Sequence, residues 1–337
     1  MSRNTPLLVV STGCPAGIGP EVSVAAAAAL RGAAVLLLGD EATLRAAASL
    51  RSIAQRRLVR WDGHSRNPSK IYLAQVGAAL SKRDRAPGKP NARSGAAQLE
   101  YIEAGFTLVK SEARAALVTA PVSKAAIARS GAPGASGFFG HTEWLQQLDG
   151  AKSSVMCFFC DELATSLVTT HVPLAKVPGA VKTAGVAAAS VELARLLQAL
   201  GKKRPMLAVA SLNPHAGESE LLGGEEASAI APGIRQAQRR LGKTALLSGP
   251  VGAETAYRKA KAGAFDGVVA MYHDQATIPM KLLAFGDAVN VTAGLSIVRT
   301  SVDHGTAYDI AWRGQADAAG MLAALRLALR LVSGRRA

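Results

Sequence analysis

The 337-residue chain is poor in aromatic side chains, with seven Phe, five Tyr and three Trp, only 4% of the total. Nucleic-acid platforms that stack bases need such rings, so that class loses support. Cysteine is nearly absent, with only Cys14, Cys157 and Cys160. An odd, sparse set excludes a disulfide scaffold and fits a reducing compartment, so the expected location is the cytoplasm. Long apolar runs are missing too. Val24–Leu30 and Ala33–Leu38 are separated by Arg31 and Gly32, and neither approaches the roughly 20 residues of a membrane helix. Near the N-terminus, Leu7–Val10 is too short for a signal-peptide core. No membrane association is expected. Acidic residues are the last shortage: 24 Asp and Glu face 39 Lys and Arg, for a net charge of +15. That excess fits a nucleic-acid binder, an enzyme with an anionic substrate, or a solvated basic surface. The basic runs stay as short as Arg56-Arg57 and Lys202-Lys203-Arg204, without interleaved aromatics. A nucleic-acid partner is therefore not expected.

What is present is a chain that is 49% hydrophobic, enough for a sizeable core and long enough for about two domains. Short β-branched runs alternate with Ala/Leu-rich helical stretches. Strands are expected at Leu7–Ser11, Val35–Leu38, Ala115–Thr119, Ser154–Phe159, Ala164–Thr169, Met206–Ala210, Ala245–Ser248 and Gly267–Met271. Helices are expected at Glu21–Leu30, Glu41–Ser49, Ala96–Ser111, Gly185–Leu200, Glu225–Leu241 and Ala316–Val332. The alternation predicts an α/β architecture with mostly parallel strands and helices on both faces. No fixed-period repeat is visible. Ser81–Arg93 reads as a basic surface loop and Arg335-Arg336 as a frayed tail. Cys157 and Cys160 form a CxxC inside an apolar run, which reads as buried strand before it reads as a redox or half-zinc motif.

Several segments carry chemistry. Thr12–Glu21 holds three glycines and two prolines between a strand and a helix. Its amides either face an anion at the helix N-terminus or simply turn the chain. It is no P-loop, because no Lys-Ser/Thr follows Gly19. His171, His215 and His273 each follow an apolar strand where it runs into a loop. In open α/β sheets, ligands bind just beyond the carboxyl ends of strands. The three are either hydrogen-bonded loop residues or a catalytic metal set with open positions. Gly140-His141-Thr142-Glu143 follows a Gly-rich stretch. The segment from Lys281 to Gly305 contains Asn290, Arg299, Asp303 and His304. Lys281 and Arg299 lie among apolar residues, where cations suited to phosphate or carboxylate stand out from ordinary surface charge.

Seven of these segments, in order, resemble the 4-hydroxythreonine-4-phosphate dehydrogenase family of pyridoxal phosphate biosynthesis. They are Pro15–Glu21, Thr119–Lys124, Gly140–Glu143, Thr169–Pro173, Leu212–Glu218, Met271–Gln275 and Arg299–Ala307. The resemblance implies two α/β/α lobes of the isocitrate/isopropylmalate dehydrogenase-like fold, with the active-site cleft between lobes. The lobes are expected at residues 1–133 plus 307–337 and at 134–306. The resemblance further implies a homodimer in which a second subunit completes the site. It assigns His171, His215 and His273 to a divalent metal (zinc, magnesium or cobalt). It assigns His141, Thr142, Lys281, Asn290 and Arg299 to a small phosphorylated amino-acid substrate. The cofactor it implies is NAD, or NADP. The reaction it implies is oxidation of the substrate hydroxyl, with Lys124, Asp274 and Asp303 as candidate bases. The two Asp alternatively orient His273 and His304. Relatives that act on erythronate or threonate 4-phosphate share these motifs, and phosphate acyltransferases share the two-lobed architecture. Cys14 departs from the acidic residue usual before Pro15.

Overall fold

The computed structural model describes residues 5–284 and 286–334, so the Arg335-Arg336 tail lies outside the described residues. Among the described residues, twelve strands follow in chain order. The first six are β1 (Leu7–Ser11), β2 (Ala34–Gly39), β3 (Leu58–Arg60), β4 (Ile71–Gln75), β5 (Ala115–Thr119) and β6 (Val155–Phe159). The others are β7 (Ala164–Leu167), β8 (Met206–Ala210), β9 (Leu246–Val251), β10 (Gly267–Ala270), β11 (Val289–Ala293) and β12 (Val298–Ser301). The chain divides into two compact units, Met1–Lys152 with Leu295–Ala337, and Ser153–Gly294. Residues 134–152 and 295–306, expected in the second lobe, therefore belong to the first unit. The physical reason is twofold. β12 pairs in parallel with β5, and Phe138, Trp144, Leu145, Leu295 and Ile297 pack into that unit's core.

The first unit orders its strands β3-β4-β2-β1-β5-β12, every pair parallel. β1, β2 and β5 are buried at every residue, as strands covered on both faces must be. The helix Ala92–Ser111 packs on β1, β2 and β5. An Asn91–Ser94 capping box starts it. It buries Leu99, Ile102, Phe106 and Val109 along one stripe, each contributing about 1.5–3 kcal/mol. The helix Ala319–Gly334 packs on β5 and β12.

The second unit orders its strands β11-β6-β7-β10-β8-β9. β6 pairs antiparallel with β11 and β7, and the remaining pairs are parallel. Cys157 and Cys160 are free and buried, and burial raises both thiols above the ordinary range. They are core residues rather than a redox pair. The expected helix over 225–241 is in fact a π-helical turn, Glu226–Ile230, running into an α-helix, Ala231–Leu241. The helix His273–Leu283 was not expected, because it contains Pro279, which reads as a breaker.

The Thr12–Glu21 loop turns the chain, and several of its amides bond backbone carbonyls. Cys14 N–H donates to Pro121 O, Gly17 N–H to Cys14 O and Ile18 N–H to Thr306 O. Gly13 adopts φ +72°, and a Cβ there would run into the Pro121 carbonyl oxygen. Glu21 is fully buried; its carboxylate accepts from Trp312 N–H and from Gly314 N–H at 3.0 Å. The loop thus anchors the segment after β12. Glu21→Ala orphans two backbone donors, so it should destabilise the fold by about 2–4 kcal/mol. Urea unfolding followed by tryptophan fluorescence checks this, and an unchanged midpoint contradicts it.

Candidate active site

In the first unit, cationic groups collect at the carboxyl ends of β5 and β12. Arg299 lies on β12 and is buried, and its Nη2 donates to Thr119 Oγ1 on β5 at 2.7 Å. Burial pushes the guanidinium down to about 10, against the attraction of Glu143, so it stays charged at neutral pH. His141 begins the helix His141–Asp149, which Trp144 and Leu145 anchor in the core. Its ring stands edge-on to Phe138, with centroids 6.1 Å apart. Nε2 of His141 is shielded from solvent and has no hydrogen-bond partner among the described residues. Desolvation first, then Arg299 and Lys124, hold this imidazole neutral well below the usual histidine range. Thr142 follows it in the first helical turn, partly exposed. Lys124, the first residue of the helix Lys124–Ala128, approaches the backbone at Gly140. A buried guanidinium, a lysine and a helix N-terminus converging on an unpartnered imidazole suit an anion that carries hydrogen-bonding groups.

In the second unit, the three histidines follow β7, β8 and β10. The His171 and His273 rings lie close, with centroids 5.4 Å apart and an interplanar angle of 40°. Two imidazoles sharing one tetrahedral ion at N–metal distances of about 2.1 Å have centroids about 5 Å apart, so the pair fits a shared metal. Nδ1 of His273 bonds Asp274 Oδ1 at 2.7 Å, which leaves Nε2 open to a ligand. Asp274 is therefore placed to orient His273. His215 does not join the pair; among the described residues, no three His, Cys, Asp or Glu side chains gather closely enough to hold a metal. Lys281 is exposed on the helix that His273 begins. Asn290 lies on β11, and its Oδ1 is shielded and unpartnered among the described residues. Asp303 is partly exposed in the turn after β12, next to His304, whose Nδ1 lies 3.1 Å from Gly305 O.

The lacing behind these side chains was not read from sequence. Thr169 donates to Met271 O from both N–H (3.1 Å) and Oγ1 (2.7 Å). Met271 N–H donates to Gln275 Oε1 at 2.7 Å, and Gln275 Nε2 donates to Ser211 O at 2.9 Å. The segments bearing His171, His273 and His215 are tied together in this way. Gln275 stood inside a quoted motif, but nothing in its spacing marked it as a link.

The family model described as "Pyridoxal phosphate biosynthetic protein PdxA" matches residues 31–328. A 4-hydroxythreonine-4-phosphate dehydrogenase of Desulforapulum autotrophicum is 38% identical over 97% of this chain and 96% of its own. A D-threonate 4-phosphate dehydrogenase of Salmonella typhimurium is 36% identical over 97% of this chain and 99% of its own. The crystal structure of a 4-hydroxythreonine-4-phosphate dehydrogenase from Klebsiella pneumoniae superposes with a TM-score of 0.84 at 35% identity, covering 98% of this chain and 100% of that one.

The neutral His141 has a consequence for stability. Its folded pKa lies well below the ordinary histidine value of about 6.5, so below that pH the unfolded chain binds the extra proton. Its contribution is complete above about pH 6.5 and is lost as pH falls further. Denaturant midpoints measured from pH 7.5 to 5.5 should fall more steeply for the parent than for His141→Gln; parallel curves contradict the assignment.

Proposed function

The chain belongs to the pyridoxal phosphate biosynthetic protein PdxA family, and from that membership we propose that it oxidises 4-phosphohydroxy-L-threonine to 2-amino-3-oxo-4-phosphooxybutanoate. The product is a β-keto acid, which loses carbon dioxide to give 3-amino-2-oxopropyl phosphate in the route to pyridoxal 5'-phosphate. The enzyme is a dehydrogenase. The observation that carries the finer reading is the pair of adjacent imidazoles, His171 and His273, at metal-sharing distance. When bound, a divalent ion (zinc, magnesium or cobalt) supplies Lewis acidity to the substrate hydroxyl and NAD, or NADP, takes the hydride.

The chain's own residues bind and orient. Arg299, held by Thr119, and Lys281 neutralise the substrate's phosphate and carboxylate. His141 and Asn290 each present a shielded, unpartnered atom, and such atoms normally find a partner. The substrate's amine and hydroxyl would satisfy them, with Thr142 alongside. His141 stays neutral, so its ring offers one donor and one acceptor. Asp274 fixes the His273 tautomer. The hydroxyl proton leaves to a base among Lys124, Asp274 and Asp303.

His215 completes the metal set with a second copy of the chain in a homodimer. Exposed apolar residues support that assembly. Phe139, Leu174, Leu221, Ile278 and Leu282, each 58–81% exposed, lie on the segments that bear His141, His171, His215 and His273. A second copy of the chain would give these side chains apolar surface to bury against. Leu282→Asp should shift the dimer toward monomer in light scattering after size-exclusion chromatography; an unchanged mass contradicts this interface. No helix among the described residues is long and apolar enough to cross a membrane.

A second reading, oxidation of D-threonate or erythronate 4-phosphate, is favoured by the likeness to the Salmonella enzyme, at nearly the same identity as the other relatives. A substrate panel decides between them. NAD reduction should be fastest with 4-phosphohydroxythreonine, vanish with a chelator and return with cobalt. Faster turnover of threonate or erythronate 4-phosphate overturns the first reading. In the same assay, Arg299→Ala should raise the KM for phosphorylated substrate about 10-fold or more, as expected when a buried charge-assisted contact is lost. An unchanged KM removes Arg299 from anion binding.

A further inference from the structure

The segment after β8 has the least ordinary backbone in the second unit. His215, Ala216, Glu218, Ser219 and Glu220 adopt φ of 50°, 55°, 43°, 58° and 72°, with Gly217 at 80°. Five non-glycine residues thus share one left-handed run, a conformation that L side chains disfavour. Such a run persists only where its surroundings over-determine it. The imidazole of His215 rides on the first of these residues.

What determines the run is a buried carboxylate. Glu226 is 6% exposed. Its Oε1 accepts from Leu212 N–H and Asn213 N–H, both at 2.8 Å, and its Oε2 accepts from Asn213 Nδ2 at 2.9 Å. Glu225 Oε2 takes the same Asn213 amide at 2.8 Å. The two residues before Pro214 and His215 are therefore clamped from one side. The far end of the run closes against the same groups. Leu222 N–H donates to Gly217 O, and Gly223, at φ +136°, leaves no room for a Cβ beside the Asn213 amide. Glu226 reaches this position from the π-helical turn Glu226–Ile230. Such turns are uncommon and cluster at functional sites. The clamp also connects to the other histidines: Ser211 Oγ donates to Asn213 O, and Ser211 O accepts from Gln275.

We propose that Glu226 is a positioning residue, whose carboxylate holds the left-handed turn so that His215 is presented as a metal ligand. This rests on the metal role given to His215 above. The test is calorimetric titration of the full-length protein with Co²⁺, comparing the parent, His215→Ala, Glu226→Ala and Glu226→Gln. Amide hydrogen exchange at Leu212 and Asn213 is measured alongside. Glu226→Ala should weaken Co²⁺ binding about 10–100-fold, as residues behind ligands typically do, and should speed exchange of those two amides. Glu226→Gln keeps the acceptor for both amides but sets its NH₂ against the Asn213 donor, so it should fall between parent and alanine. If His215→Ala loses Co²⁺ while both Glu226 variants bind as tightly as the parent, the positioning role is overturned. If His215→Ala itself binds Co²⁺ like the parent, the metal role of His215 fails and the proposal falls with it. Should Glu226→Ala not fold, Glu226→Gln carries the test, and parental affinity in that variant overturns the proposal.

Discussion

Both backbone polar groups of Met271 are bonded: its carbonyl accepts twice from Thr169 at the neighbouring strand end, and its N–H donates to Gln275 in the helix that follows. The placement of the His171 and His273 rings depends on this junction. Strands β7 and β10 are parallel neighbours, so their carboxyl ends emerge side by side. Parallel pairing alone brings two chain exits within a strand spacing, about 4.8 Å. It does not decide where the side chains beyond them point. The Thr169–Met271 bonds extend the pairing past the last ladder residue, and His171 and His273 leave that extension as neighbouring rings. Asp274 then sets which nitrogen of His273 is free.

The first unit solves a different problem, holding a charged guanidinium inside a parallel sheet. Burying a charge is costly unless it is hydrogen-bonded. Arg299 donates to Thr119 on the adjoining strand, and the nearby His141 is kept neutral rather than adding a second buried charge. The arrangement is poised for an anion: positive charge is already desolvated, and an imidazole nitrogen lacks a partner among the described residues. Most of the +15 net charge has no part in this. The cationic side chains given a functional place are few, and they stand out by burial and neighbours rather than by number.

Much of this was legible in the sequence, for physical reasons that also explain the gaps. β1, β5 and β8 appear as expected because buried parallel strands are continuous apolar runs, and each histidine was placed after such a run. β12 was missed because Arg299 interrupts its apolar pattern, and the helix His273–Leu283 because Pro279 sits inside it. β12 pairs with β5 and carries its flanking residues into the first unit. The Thr12–Glu21 loop was legible as a turn, but not that its Cys14 and Ile18 amides are taken by Pro121 and Thr306, residues far along the chain. Glu226 and Gln275 escaped for the same reason. Their partners are backbone groups in other loops, and no spacing rule encodes a hydrogen bond between segments that only the fold brings together.

The central claim is that His171 and His273 share one divalent ion. X-ray absorption spectroscopy of the cobalt-loaded protein tests it most directly. The account predicts imidazole nitrogen scattering at about 2.1 Å, diminished by one nitrogen in His171→Ala and by one in His273→Ala. A ligand set made only of oxygen, or spectra unchanged in both variants, would contradict it.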